Sequence, residues 1–396
     1  MDEAPMHAQR LFFLGAGFSR AAGLPLSDEL LDLVIDQVRR STEAVPTKLD
    51  KSIARYRTYV TATTGKTPDK LNFEDFATYL DHEHILGLRG SDTWSDEGNE
   101  DQLMLRWGIG AVLNRMTPSA DKIPPLYLDF ARRLRGGDIV VSFNYDLLLE
   151  RSLDAVGVKH RRFPSRYIAC YPTYSVGDSD REWSEVLLLK VHGSIDWVNR
   201  ARYHRDYELP RPDLDEEEQR SFRERDIVFG GSACTPTKPL VEGPRPEGDP
   251  LSDVYVLEDP DAFYAEFSAW WHTAPLVLPP SQAKIHYGAP LREFWRGMIR
   301  DTTAWGTLAV IGYSLPQGDP YTKQVLHALS SGHSYALDHP ELYPWTQSRI
   351  TVVDYQPDDI ARQRFMKTYR FLDGEHTDFH FGGLSSKSVA YVFAGS

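Results

Sequence analysis

The chain has 396 residues and a net charge of −13, from 44 basic and 57 acidic side chains, so we expect no direct nucleic-acid binding. Its two cysteines, Cys170 and Cys234, exclude a disulfide framework and a four-cysteine zinc site, and they fit a reducing compartment. No apolar run reaches the ~18 residues of a transmembrane helix and the polar N-terminus does not resemble a signal peptide, so we predict a cytoplasmic protein without membrane contact.

The first predicted element is a buried strand that ends in a glycine turn. The apolar run Leu11–Leu14 stops at the sequence GAGFS, residues 15–19, and this order of strand, turn and helix start is typical of nucleotide-binding crossovers. Without Cβ atoms, Gly15 and Gly17 let the backbone approach a pyrophosphate, which the following N–H groups would face. Arg20 stands in place of a third glycine, so the turn alone leaves open a flexible strand end.

Helical patterns dominate the next hundred residues. Ser27 and the acidic side chains after it predict a helix start, and apolar residues recur at helical spacing in 71–86 and 103–116. We interpret residues 41–127 as a helical insertion over a nucleotide-binding core. His82 and His84 lie two positions apart and therefore diverge on a helix, so we expect a solvated face there rather than a metal site.

Two further apolar strands are each followed by polar side chains. Asn144 and Asp146 follow the strand predicted over 139–143, and His192 follows the strand predicted over 186–191. Open α/β sheets bind ligands at the carboxyl ends of strands, where an imidazole can act as a general base near neutral pH. Three alternatives stay open: Asn144 as a turn residue, Asp146 as a helix cap and His192 as a structural histidine.

The last part of the chain contains two more strand patterns after an irregular region. Residues 201–269 are predicted as an irregular surface insertion, because they are charge-dense and rich in proline and glycine. One later strand is ended by Gly312 and Ser314, and another carries Asp354 at its tip, where a carboxylate either binds a ribose diol or begins a turn. We predict an α/β fold, a Rossmann-like, doubly wound, mostly parallel sheet, from residues 1–40, 128–200 and 270–396.

Four clusters in this order resemble the sirtuin-like family: GAGFS at 15–19, FNYD at 143–146, KVHGS at 190–194 and GYSLPQGD at 312–319. The similarity covers the three core segments and is greatest to the bacterial branch of NAD-hydrolysing antiphage effectors. The resemblance implies that Asn144 organises the nicotinamide ribose and an attacking water, with His192 as the catalytic base. It also implies dinucleotide contacts, to the phosphates from Gly15, Ala16, Gly17 and Ser19 and to the adenosine half from Gly312, Ser314 and Asp354.

Departures from the protein-deacylating sirtuins favour hydrolysis over deacylation. Those enzymes carry four zinc cysteines and a Phe-Arg pair soon after the glycine turn, and this chain has neither at the corresponding place. The resemblance therefore implies a metal-free enzyme that converts NAD+, as substrate, and water to nicotinamide and ADP-ribose. Two alternatives stay open: an NAD-dependent protein deacylase, and a regulatory subunit that binds NAD or ADP-ribose with little turnover.

The expected chemistry requires few protein groups. Cleavage of the nicotinamide C–N bond builds positive charge on the ribose and releases a neutral leaving group, so no general acid is required. We expect Asp146 either to orient His192 or to cap its own helix. Unregulated NAD loss would kill the host, so the activity of an antiphage effector should be gated. The resemblance implies a homo-oligomer and a separate partner, such as a HerA-type translocase ATPase or another sensor protein.

Overall fold

Two compact units make up the computed structural model of the chain. The first comprises residues 1–26, 117–191 and 291–396, and the second comprises residues 27–116 and 192–290. Residues up to 8, Cys170 and the charge-dense segment 213–226 lie outside the part of the chain that the structure describes. The described residues are 9–42, 47–89, 97–163, 184–200, 227–230, 233–241, 251–265, 274–296, 305–346 and 348–394.

Strands and helices are numbered separately in chain order. The strands are β1 (Gln9–Leu14), β2 (Ile139–Ser142), β3 (His160–Arg161), β4 (Val186–Lys190), β5 (Gly193–Asn199), β6 (Ile227–Gly230), β7 (Ala233–Pro239), β8 (Val254–Leu257), β9 (Pro275–Val277), β10 (Trp305–Ile311), β11 (Ile350–Val353) and β12 (Thr377–His380). The helices are α1 (Ala16–Ser19), α2 (Ser27–Arg40), α3 (Lys48–Thr64), α4 (Phe73–Ile85), α5 (Glu100–Met116), α6 (Pro125–Arg133), α7 (Leu148–Val156), α8 (Pro260–Ala265), α9 (Arg292–Arg296), α10 (Pro320–Asp338), α11 (Asp359–Thr368) and α12 (Ser386–Val392).

The first unit is built on a seven-stranded, all-parallel sheet in the order β12-β11-β10-β1-β2-β4-β3. The central strands end level with one another, because Leu14 pairs with Ser142 on one side and with Ile311 on the other. Their apolar side chains are almost completely buried, as in parallel strands that are covered on both faces. The α/β, Rossmann-like fold predicted from the sequence is confirmed.

Aromatic side chains of β1 pack on both faces of this sheet. Phe12 lies against Phe130 of α6 and against Phe393, with ring centroids 6.1 and 5.3 Å away. Phe13 is the next residue and therefore points to the opposite face, where its ring lies 6.2 Å from Phe143. Helices α10 and α12 pack on β10 and β11. The strand that carries the glycine turn is thus held at the centre of the core.

The second unit combines helices with a five-stranded sheet in the order β6-β7-β8-β5-β9, in which neighbouring strands are antiparallel. Its central helix is α5, which is buried along nearly all of its length and packs against α2, α3 and α4. Gly108 of α5 permits the close contact with α2, because an added Cβ would lie 2.7 Å from Cγ1 of Val34.

The boundaries of the units differ from the predicted segments. Residues 117–127, predicted in the helical insertion, belong to the first unit. The sequence-based assignment placed residues 27–40, 192–200 and 274–290 in the Rossmann-like core. In the structure they belong to the second unit, because α2 packs against α5 and β5 joins the antiparallel sheet. The region 201–269, predicted as irregular, contributes β6, β7, β8 and α8 among its described residues.

Candidate active site

The parallel sheet reverses its winding between β1 and β10. From β1 the chain adds β2 and β4 on one side, and it later adds β10, β11 and β12 on the other. The loops that leave the carboxyl ends of the strands diverge at such a switch point, and open α/β sheets bind their ligands there. The glycine turn after β1 and the loop over residues 312–319 after β10 both begin at this place. Two of the four sequence clusters are therefore neighbours.

These two segments meet backbone against backbone, which explains their glycines. The N–H of Gly17 donates to the carbonyl of Gly312 at 2.8 Å, and the N–H of Phe18 donates to the carbonyl of Gly15 at 2.9 Å. A Cβ added to Gly312, whose φ is +63°, would lie 2.2 Å from the backbone nitrogen of Phe18. The N–H of Gly15 also donates, to the carbonyl of Ile311 at 3.0 Å, so three N–H groups of the turn are used within the fold. A phosphate contact at Gly15, Ala16 or Gly17 stays a prediction.

A chain of hydrogen bonds fixes the amide of Asn144 beside the glycine turn. Its Nδ2 donates to the carbonyl of Gly15 at 2.9 Å and to Oγ of Ser19 at 3.2 Å. The hydroxyl of Ser19 donates in turn to Oδ2 of Asp146 at 2.9 Å. Both amide protons are therefore used inside the fold, and the group that Asn144 can offer to a substrate is its acceptor, Oδ1. Ser19 holds the amide of Asn144 in place by accepting this hydrogen bond. The phosphate contact predicted for Ser19 stays a prediction.

Asp146 combines two structural tasks. Its Oδ2 accepts the hydrogen bond from Ser19, and its Oδ1 accepts one from the backbone N–H of Leu148, the first residue of α7, at 3.0 Å. Burial raises the pKa of this carboxyl above its ordinary value of 3.8, and the positive charge of Lys190 opposes that shift. Asp146 therefore satisfies the first backbone N–H of α7, whose N-cap residue is Leu147, and orients Ser19. Whether it also orients His192 stays a prediction.

Lys190 anchors the same turn from the neighbouring strand β4. Its Nζ donates to the carbonyl of Tyr145 at 3.3 Å, to the carbonyl of Asp146, and to Oε1 of Glu150 at 2.9 Å. These contacts hold the backbone that carries Asn144. The sequence-based reasoning assigned Lys190 no role, although a single cation interrupting an apolar strand was the available signal.

His192 belongs to the second unit, whereas Asn144 belongs to the first. The backbone carbonyl of His192 accepts the N–H of Leu278 at 2.9 Å. The next residue, Gly193, has a φ of +86°, and an added Cβ would lie 1.9 Å from the carbonyl oxygen of Leu276. His192 and Asn144 are both largely buried, with 4% and 8% of their surface exposed. Their convergence on one sugar stays a prediction.

The loop after β10 holds its backbone in an unfavourable conformation. Leu315 has a φ of +53° and is buried, and among the described residues it is the non-glycine residue with a positive φ. For a side chain with a Cβ this left-handed region costs roughly 1–2 kcal/mol. Such strain is concentrated at functional sites. The adjacent Ser314 is exposed, which is compatible with its predicted contact to the adenosine half.

Asp354 lies at the carboxyl end of β11, on the same edge of the sheet. Its Oδ1 accepts the N–H of Tyr355 at 2.8 Å, and its Oδ2 accepts Nε2 of Gln356 at 3.1 Å. Burial raises the pKa of this carboxyl, and both hydrogen bonds oppose the shift. Asp354 therefore stabilises the turn that follows the strand. Its predicted contact with a ribose diol stays a prediction.

Comparison of the sequence with protein-family models and with curated proteins finds no match. In the described residues, no group of three or more His, Cys, Asp or Glu side chains is arranged to hold a metal ion. None of the helices in that part of the chain is long and apolar enough to cross a membrane.

Proposed function

We propose that this chain is a sirtuin-like hydrolase that cleaves NAD+ to nicotinamide and ADP-ribose. One observation carries the proposal: the amide of Asn144 is fixed beside a glycine turn, at the switch point of a Rossmann-like sheet. Dinucleotides bind at this place in doubly wound folds. An acceptor held there suits the orientation of a ribose hydroxyl or of a water molecule next to the sugar.

Cleavage of this bond requires few catalytic groups from the protein. The C–N bond between ribose C1′ and nicotinamide breaks with its electron pair passing to the ring nitrogen, so the leaving group is neutral. Positive charge accumulates on the ribose, as in the oxocarbenium-like transition state of glycoside hydrolysis. No general acid is needed. This suits the surroundings of Asn144, where the carboxyl of Asp146 accepts hydrogen bonds from Ser19 and Leu148.

In the proposed reaction Asn144 orients the reactants and His192 accepts a proton. Oδ1 of Asn144 accepts a hydrogen bond from the attacking water or from a ribose hydroxyl, so that the water oxygen faces C1′. A C–O bond forms there, and the imidazole of His192 takes the proton that the water loses and then releases it to solvent. General-base catalysis of this kind contributes typically ~10²–10⁴-fold to the rate.

The proposed biological role is NAD depletion in bacterial antiphage defence, in the cytoplasm. Such an activity has to be held back until infection, since NAD is needed by the uninfected cell. We propose that a homo-oligomer or a separate sensor protein, such as a HerA-type translocase ATPase, supplies this control. The resemblance of the four sequence clusters supports this part of the proposal.

Chromatography of nicotinamide and ADP-ribose released from NAD+ tests the proposed reaction. The full chain is compared with Asn144→Ala, His192→Ala and the control His327→Ala, which alters an exposed histidine of α10. We expect each of the first two changes to lower the rate by at least ~10²-fold in protein that remains folded, and the control to be fully active. Full activity of His192→Ala would refute its role as the base.

A second candidate function is a regulatory subunit that binds NAD or ADP-ribose with little turnover. The observation that favours it is the low exposure of the two proposed catalytic residues, 8% for Asn144 and 4% for His192. Tight binding of ADP-ribose without release of nicotinamide would support this candidate. Removal of an acyl group from a lysine peptide in the presence of NAD+ would instead indicate a deacylase.

A further inference from the structure

Asp319 precedes helix α10 but does not cap it with its side chain. Its carboxylate is turned inward and accepts hydrogen bonds from two phenol hydroxyls instead. The hydroxyl of Tyr313 donates to Oδ2 at 2.6 Å, and the hydroxyl of Tyr321 donates to Oδ1 at 3.2 Å. Only 1% of the residue is exposed. An aspartate at this position ordinarily caps the helix, so its inward orientation indicates a different task.

The tyrosines around Asp319 come from three separate segments of the first unit. Tyr313 lies in the loop after β10, Tyr321 lies in the first turn of α10, and Tyr145 belongs to the turn that carries Asn144. The negative charge of Asp319 raises the pKa of all three phenols, in addition to the larger effect of burial. The phenols therefore stay protonated, and Tyr313 and Tyr321 remain donors to the carboxylate.

The ends of the loop over 312–319 are tied down by these contacts. Tyr313 is held through its hydroxyl by Asp319, and its backbone carbonyl accepts the hydroxyl of Tyr369 at 2.6 Å. The N–H of Asp319 donates to the carbonyl of Pro316 at 3.1 Å, which closes a turn. Between these anchors lie the strained Leu315 and the exposed Ser314. A strained conformation persists only where surrounding contacts determine it.

We propose that Asp319 is a positioning residue that fixes the loop over 312–319 so that Ser314 faces the adenosine half of a bound dinucleotide. The inference rests on the proposed function for the identity of the ligand. Asp319 is the last residue of the fourth sequence cluster, and the resemblance assigned it no contact of its own. Asp319 acts through Tyr313 and Tyr321 and does not touch the ligand.

The affinity for ADP-ribose, measured by calorimetry, tests this role independently of turnover. Asp319→Asn removes the charge and replaces one acceptor by a donor, so we expect the Kd for ADP-ribose and the KM for NAD+ to rise about 10-fold. Tyr321→Phe removes a single hydroxyl and should raise both about threefold. For both variants kcat and inhibition by nicotinamide should stay within about twofold, since the loop serves the other half of the dinucleotide.

The control is Tyr335→Phe, which removes an exposed phenol hydroxyl from the same helix and should leave every constant unchanged. Unchanged ADP-ribose affinity in folded Asp319→Asn would overturn the proposal, as would a fall in kcat at constant KM. If Asp319→Asn does not fold, Tyr321→Phe decides by the same criteria. Wild-type protein that binds ADP-ribose but releases no nicotinamide would refute the proposed hydrolysis while the affinities still test Asp319.

Discussion

Ser19 is the residue on which the orientation of Asn144 depends, because its hydroxyl accepts from the amide and donates to Asp146. Ser19→Ala removes both contacts and leaves a buried carboxylate oxygen without its donor. We expect the free energy of unfolding to fall by about 1–3 kcal/mol. The amide then loses one of its two anchors, and misplacement of such a group lowers kcat by roughly 10- to 100-fold.

Ser331→Ala serves as the control for this change, since its hydroxyl bonds to a carbonyl of its own helix on an exposed surface. Its stability should change by less than ~0.5 kcal/mol and its activity not at all. Urea unfolding and initial rates of nicotinamide release measure the two effects. A Ser19→Ala enzyme with wild-type kcat would show that the hydrogen-bonded chain to Asp146 is not needed.

Asp146 should make the stability of the protein depend on pH in a defined direction. Burial raises the pKa of its carboxyl above 3.8, so in the window between 3.8 and the native value the folded state binds more protons than the unfolded state. The contribution to stability is full below this window and is lost as the pH rises through it. Asp146→Asn removes the titration, and its urea midpoint should fall less steeply with rising pH than that of the wild type.

Asp373 is the matched control for this experiment, because its carboxyl pKa is lowered whereas that of Asp146 is raised. The N–H of Glu375 and the ring of His376 lower the pKa of this exposed carboxyl, so its contribution is present above pH 3.8 and is lost as the pH falls. Asp373→Asn should therefore lose stability relative to the wild type at neutral pH rather than at acid pH. Identical pH profiles for the wild type and Asp146→Asn would contradict the buried, protonation-sensitive environment of Asp146.

At the scale of elements, the contact between the turn after β1 and the loop after β10 is the critical one. Gly312→Ala would place a Cβ 2.2 Å from the backbone nitrogen of Phe18, where only backbone movement can relieve the overlap. Gly23→Ala provides the control, because Gly23 also has a positive φ, +87°, but nothing lies within 4 Å of an added Cβ. Both variants bear the cost of the left-handed backbone, about 1–2 kcal/mol.

The difference in stability and affinity between Gly312→Ala and Gly23→Ala measures the effect of the contact between the turn after β1 and the loop after β10. We expect Gly312→Ala to lose a further ~1–3 kcal/mol through overpacking and to bind ADP-ribose more weakly, whereas Gly23→Ala should keep wild-type affinity. Thermal melts and calorimetry measure both quantities. Equal stability and equal affinity of the two variants would show that the two segments do not meet as described.

Five strands of the parallel sheet could be predicted from the sequence because each is a largely apolar run, as buried parallel strands are. The edge strand β12 could not, since it is short, partly exposed and paired only with β11. β5 was also missed. Its Ser194 and Asp196 are buried and hydrogen-bonded to each other at 2.6 Å, so a polar cluster in the sequence is part of a strand in the structure.

The candidate site was predictable to a smaller extent than the sheet. The strand ends that carry Asn144 and Asp354 followed from the pattern, because parallel strands share one edge. The partners of Asn144 could not be predicted, since Ser19 lies 125 positions away and the pairing depends on the packing of two loops. The role of Asp319 was hidden for a similar reason, because an aspartate before a helix predicts a cap.

At the scale of the whole molecule, the proposed hydrolysis requires a defined relation between two side chains, because Asn144 of the first unit and His192 of the second have to reach the same ribose. A crystal structure of the full chain with ADP-ribose measures this relation directly. We predict that Oδ1 of Asn144 and the imidazole of His192 contact the same ribose. Each should lie within about 4 Å of C1′ or of the hydroxyl on C1′, or should reach that hydroxyl through one bridging water. An ADP-ribose bound away from the switch point, or a His192 ring that does not reach the ribose, would contradict the account.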